Sequence, residues 1–248
     1  EMSRRPLDTS PTLLVFTLGP EADCARRPVL PRRLREVERD VRAASTARAL
    51  AAGRACGCDL EIASRDVPVS PDVRHVEQLG QGFGDRFAST LAASWRRNPD
   101  GPVVVVGGDI PDLSRRHVER ALTAVERDPE AVVIGPSPDG GFYLLATGRP
   151  LGAALDEVRW CRRSTCADLV AAARRVGRPV VLLEPLADLD RPRDLATLLD
   201  GDWIRHASHL ARRLRAALRE ISRPRELPAM RPVVVRLRPS QPRRGPPA

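Results

Sequence analysis

The chain has 248 residues with 41 basic side chains, all of them arginine, and 32 acids. That length supports one α/β domain with a real core, and 42% apolar residues beside 29% charged ones exclude a wholly disordered chain. No apolar run approaches the roughly 20 residues that cross a bilayer, and Glu1-Met2-Ser3-Arg4-Arg5 leads into no apolar signal segment, so a cytoplasmic protein is expected.

The net charge of +9 is unevenly placed. Residues 205–248 carry 12 arginines and two acids, a net of +10, whereas residues 1–204 come to −1. Any argument from charge to partners therefore concerns the tail alone. The absent lysine excludes a lysine phosphate clamp or Schiff base. The five cysteines form no Cys-x-x-Cys pair and have no spaced histidine pair beside them, so incidental thiols are the better reading than zinc.

In chain order, Leu13-Leu14-Val15-Phe16-Thr17 reads as a first strand, and residues 32–55 as an Arg/Glu/Ala-rich helix. Residues 59–63 read as a second strand, followed by a short extended piece near Val73–Val76. Residues 84–97 place Phe87, Leu91 and Trp95 at helical spacing. Val103-Val104-Val105-Val106 is the clearest buried strand, and Ser114 then caps a helix reaching about Arg127. Strands follow at 132–134 and 141–145, then a helix at 165–176, a strand at 180–183 and a helix at 192–199. This alternation predicts a three-layer α/β domain: a mostly parallel sheet with helices on both faces. In such sheets ligands bind beyond the carboxyl ends of the strands.

A boundary is expected near residue 204. Beyond it, Leu210, Leu214, Leu218 and Ile221 share one helical face and Arg205, Arg212, Arg215 and Arg219 the opposite one. Packing of the leucines on the body is the favoured reading; peripheral contact with anionic lipid through 205–221 is the alternative. The Pro- and Arg-rich remainder is expected to be partly disordered, although Val233-Val234-Val235 could add an edge strand. With no aromatic residue after Trp203 for base stacking, nucleic acid is not the expected partner.

Three loops could carry chemistry. Gly107-Gly108-Asp109 follows the strongest strand: glycines admit close backbone approach, and a carboxylate there can hold a divalent cation. An ordinary turn before Pro111 is the plainer alternative. Asp139-Gly140-Gly141 is a hairpin-type turn that could also present amides and a carboxylate to a polar ligand. Asp188-Leu189-Asp190 precedes a helix, where Asp190 either caps it or points, with Asp188, toward the same site as Asp109.

Taken in order, Val103–Leu113, Gly135–Leu145 and Asp188–Leu195 resemble the GT-A-type nucleotide-diphospho-sugar transferases, in particular a bacterial family of largely uncharacterised glycosyltransferases, some assigned to arsenosugar-type biosynthesis. Small nucleotidyltransferases of molybdenum-cofactor and deazaflavin-cofactor synthesis are more distant relatives. The resemblance covers roughly residues 12–200. It implies that Asp109, with Asp190 and Asp188, binds Mg²⁺ or Mn²⁺ and diphosphate. Leu18 and Gly19 would lie under the nucleotide, with Arg33, Arg86, Gly107, Gly108 and Trp160 also at the donor. Gly140 and Gly141 would lie near sugar or acceptor, with Asp139 as base or acceptor-orienting residue. The family's phosphate-gripping lysine is absent: Pro28-Val29-Leu30-Pro31-Arg32-Arg33-Leu34 has proline at that position, and Arg26, Arg27 or Arg32 could compensate.

The leading expectation is therefore metal-assisted transfer of a sugar from a nucleotide sugar to an acceptor. The alternatives are a nucleotidyltransferase using a nucleoside triphosphate, and a binding protein whose catalysis has decayed. The residues leave the oligomeric state open.

Overall fold

A computed structural model of the chain describes residues 9–64, 71–191, 194–195, 198–200 and 208–222. Strand β1 (Thr12–Phe16) leads into a short helix α1 (Pro20–Arg26), which the hydrophobic pattern alone did not reveal. Its signal was local: Pro20 at the first helical position with Glu21 and Asp23 in the first turn. A 3₁₀ turn (Arg32–Leu34) opens helix α2 (Arg35–Ala55). Strands β2 (Asp59–Ala63) and β3 (Val73–His75), helix α3 (Phe83–Arg97), strand β4 (Val103–Gly107) and helix α4 (Arg115–Arg127) follow. After β5 (Val132–Pro136) and β6 (Phe142–Thr147) come a 3₁₀ segment (Gly152–Glu157), helix α5 (Thr165–Arg175) and strand β7 (Val180–Leu182). The last described helix is α6 (Ser208–Ser222).

Among the described residues seven strands lie in the order β3-β2-β1-β4-β6-β5-β7, parallel throughout except for β6, which runs antiparallel to both neighbours. Pattern explains the layering. Along β1 and β4, Leu13, Val15, Val104 and Val106 face α2 and α4, while Leu14, Val103 and Val105 face α3 and α5. Both faces are covered, so β4 carries no polar residue between Val103 and Val106. Ser114 takes the N-cap position of α4, and its hydroxyl and backbone N–H both meet His117 Nδ1 three residues on, at 2.8 and 3.1 Å.

A third cluster lies outside α2. There Val37 and Val41 meet Val29, Leu30, Leu189, Leu195 and the apolar face of α6, with Leu214 fully buried. Arg213 of α6 pairs with Asp40, and Glu220 with Arg33. The leucines of α6 are thus engaged by the body, and its exposed face carries Arg212, Arg215 and Arg219 beside Ala216 and Glu220. Arg205, Pro192, the 223–248 tail and half of the expected 192–199 helix lie outside the described residues. No described helix is long and apolar enough to cross a membrane.

Emptying the centre of this third cluster should be costly. Leu214→Ala is expected to lower unfolding free energy by about 2–5 kcal/mol, measured by urea denaturation of the whole chain. A loss below about 0.5 kcal/mol, the range of a surface substitution, would mean that α6 does not dock.

Candidate functional site

Strand order fixes where the site lies. From β1 the chain winds outward to β2 and β3, and from β4 it winds the other way, so the β1–β4 junction is the topological switch point. At its carboxyl edge stand Thr17-Leu18-Gly19 and Gly107-Gly108-Asp109. Because β6 is antiparallel, the Ser137–Gly141 turn that starts it reaches this same edge. The Asp188–Asp190 segment arrives there after β7.

The loops beside the junction are tightly bound. Gly108 is glycine for packing: a Cβ there would sit 2.7 Å from Thr17 Cβ. Its carbonyl accepts from Thr46 Oγ1 at 3.0 Å. Thr17 Oγ1 donates to Asp23 and accepts from the N–H of Gly19, which has φ 101°. Gln78 Nε2 donates to the carbonyls of Thr17 and Ala63, tying the ends of β1 and β2 together. The glycines therefore serve loop-on-loop contact here.

The hairpin is an Asx-type turn in which Asp139 Oδ1 accepts from Gly141 N–H at 2.8 Å. Gly140 has φ 93°, and a Cβ there would fall 2.0 Å from the carbonyl oxygen of Arg163. Only glycine fits both constraints.

In the third loop Asp194 ties the segment down: its Oδ2 accepts from the N–H groups of Asp190 and Arg191 at 3.2 and 2.7 Å. Leu189 points into the core, which sends its neighbours Asp188 and Asp190 the other way. Asp139, Asp188 and Asp190 consequently offer carboxylate oxygens that all lie within 4.8 Å of one another. An all-oxygen donor set of this spacing fits a hard divalent cation.

Asp109 stands beside this set and not in it; its Oδ2 is 3.9 Å from Nη1 of Arg42. Burial pushes its carboxyl up to about 6, helped by Asp23 and Asp190 and opposed by Arg42. Asp188 is pushed up to about 7 by burial, then by the charges of Asp109, Asp190 and Asp139. The edge thus carries a local excess of negative charge, the condition a bound cation relieves.

The remaining candidates divide. Arg33 is ion-paired with Glu220 on α6. Arg86 donates to the carbonyl of Gln81 at 3.2 Å. Trp160 belongs to an aromatic cluster, 5.1 Å from Phe87 and 5.6 Å from Phe83 between ring centroids, and its ring would collide with any Cβ on Gly84. Among the compensating arginines considered, Arg27 reaches Asp190 at 3.7 Å. The sequence reading missed Glu38 and Arg42, which are almost fully enclosed. Their signal, an acid and a base four residues apart on a helix, is also that of a solvent-exposed pair.

Residues 37–162 match a family model described as "Uncharacterized protein conserved in bacteria (DUF2064)". The chain belongs to the DUF2064 family. This DUF2064 chain is 30% identical over 154 residues to a 2-phospho-L-lactate guanylyltransferase of Haloarcula marismortui, covering 57% of the chain and 64% of that protein. It is 34% identical over 90 residues to the bifunctional protein GlmU of Paramagnetospirillum magneticum, covering 35% of the chain and 19% of that protein. It thus spans less than two thirds of the length of either curated relative. Among solved structures, a provisionally assigned nucleotide-diphospho-sugar transferase of Desulfovibrio desulfuricans G20 superposes with TM-score 0.73 at 23% identity, over 86% of this chain and 98% of that one. The DUF2064 chain has the nucleotide-diphospho-sugar transferase fold.

The raised carboxyls make stability pH-dependent with a defined sign. A folded-state value above the ordinary one means that the folded form holds the proton more tightly, so the contribution is present at low pH and lost as pH rises through about 6–7. Asp188→Asn should therefore stabilise the metal-free chain by on the order of 1–3 kcal/mol at pH 8 and by little at pH 4, read by urea denaturation in EDTA. A gain equal at both values would contradict the charge-repulsion account.

Proposed function

We propose that this DUF2064 protein is a metal-assisted nucleotide-dependent transferase, and that its reaction is nucleotidyl transfer. The observation that carries the first part is the convergence of Asp139, Asp188 and Asp190 at the switch-point edge. Support for the second is the 30% identity to a guanylyltransferase over 154 residues. Asp139, Asp188 and Asp190 would hold Mg²⁺ or Mn²⁺. When bound, such an ion neutralises phosphate oxygens and the charge that develops on the leaving group.

The chain's own groups supply the rest. Gly19 and Gly108 pack the β1 and β4 loops into a rigid floor for the nucleotide. The hairpin fixes Asp139 through Gly141 N–H, and this exposed carboxylate orients the entering acceptor. The acceptor oxygen attacks the α-phosphorus of a nucleoside triphosphate, the bond from that phosphorus to the bridging oxygen breaks, and pyrophosphate leaves. Holding donor and acceptor in line on a fixed edge is the main source of rate.

Glycosyl transfer from a nucleotide sugar is the second reading, favoured by a specific observation. The Pro28–Pro31 loop has no cation, and the N–H groups of Val29 and Leu30 are turned inward onto Glu38. A diphosphate, carrying less charge than a triphosphate, asks less of such a loop.

Product analysis separates the two. With Mn²⁺ or Mg²⁺, a nucleotidyltransferase releases pyrophosphate from a triphosphate supplied with phospho-acid or sugar-phosphate acceptors. A glycosyltransferase instead releases nucleoside diphosphate from a nucleotide sugar. Asp190→Ala is expected to lower turnover by roughly a hundredfold or more. Turnover unchanged in that variant would remove the acidic set from the reaction.

A further inference from the structure

We infer that Arg42, gripped by Glu38, is a positioning residue of the acidic site, setting the geometry of the Asp188–Asp190 segment from beneath. The inference rests on the reading of Asp139, Asp188 and Asp190 as a cation site, and deepens it.

Arg42 and Glu38 lie one turn apart on α2, with side chains 4% and 1% exposed. The guanidinium is used as a fork. Nε and Nη2 donate to Glu38 Oε1 at 3.2 and 3.1 Å. Nη2 also donates to the carbonyls of Leu189 at 3.0 Å and Arg27 at 3.2 Å. Nη1 is the nitrogen facing Asp109. Glu38 in turn accepts from the N–H groups of Val29 and Leu30, at 3.0 and 2.8 Å to Oε2.

Leu189 is the decisive contact. It lies between the two acids of the third loop, and both its backbone groups are engaged: its N–H donates to the carbonyl of Asp109 at 3.2 Å and its carbonyl accepts from Arg42. The separation of Asp188 and Asp190 from Asp139 is therefore set by a residue that is itself sealed from solvent and reaches no ligand. A planar fork with several donors can hold three segments at once; an ammonium on a flexible stem cannot. Supporting groups of this kind tune metal affinity by 10- to 100-fold when they are altered.

The experiment must separate position from charge, because deleting a cation beside carboxylates would by itself tighten cation binding. Arg42→Lys keeps the charge and loses the fork. Arg97→Lys is the control: Arg97 makes a comparable two-pronged contact with the buried Glu61, at 2.6 and 2.7 Å, on the opposite side of the sheet order from the acids. Mn²⁺ binding to the full-length proteins is followed by the electron paramagnetic resonance of free Mn²⁺, with folding checked by circular dichroism. Arg42→Lys is expected to weaken binding about tenfold and Arg97→Lys to leave it unchanged.

Wild-type affinity in Arg42→Lys, or an equal loss in Arg97→Lys, would overturn the inference. No Mn²⁺ binding by the wild-type chain would instead overturn the cation reading, and this inference with it. Should Arg42→Lys fail to fold, Glu38→Gln decides: near in shape, it loosens the grip on Arg42 and should weaken binding severalfold, and unchanged affinity there counts against the inference.

Discussion

The buried pair of Glu38 and Arg42 is the interaction on which the functional edge depends. Enclosing two charges is expensive, and the cost is offset only when nearly every donor and acceptor is satisfied. Here the carboxylate takes two backbone N–H groups and the guanidinium, while the guanidinium takes two carbonyls besides. The satisfaction of the pair and the closure of the loops around it are one event. The loop at 27–30, Asp109 and Leu189 are gathered onto helix α2 by two side chains on a single helical turn.

This arrangement gives a physical reason for the missing cation in the 28–31 loop. A loop that presents its amides outward can cradle an anion. This one spends the amides of Val29 and Leu30 on Glu38 and is an internal brace. The positive charge near the acids comes from helix α2 and from Arg27 instead. The consequence is a site dominated by carboxylates, in which Asp188 and Asp109 repel each other and their neighbours until a cation or protons arrive.

Much of this was legible in the sequence, for definite reasons. Four consecutive β-branched residues bounded by Pro102 and Gly107 can only be a strand covered on both faces, and β4 is that strand. The loops at 107–109, 139–141 and 188–190 were identifiable because glycines and aspartates follow apolar runs. Their meeting at one edge follows from the parallel sheet. What stayed hidden was whatever depends on which face of a helix is covered. Glu38 and Arg42 lie in a run of alternating charges where a solvated pair and a buried one read the same. The roles within the acidic set were hidden too: Asp109, placed first among the ligands by resemblance, is turned toward Arg42, and Asp139 joins the two late acids. Trp160, placed at the donor by resemblance, is engaged with Phe83 and Phe87 of α3.

The antiparallel insertion of β6 has one more implication. Because the acidic set joins the β5–β6 turn to the segment after β7, which the end of β4 holds through the N–H of Leu189, it depends on elements that only the folded sheet brings together. It is assembled only when the last strands have taken their places. Occupancy by a cation would then be a report on completed assembly, and the energy of holding it would be spread over half the sheet. Cooperativity of that kind gives the far edge, whose terminal strand β7 has only three residues, a reason to stay closed that its own short ladder does not supply.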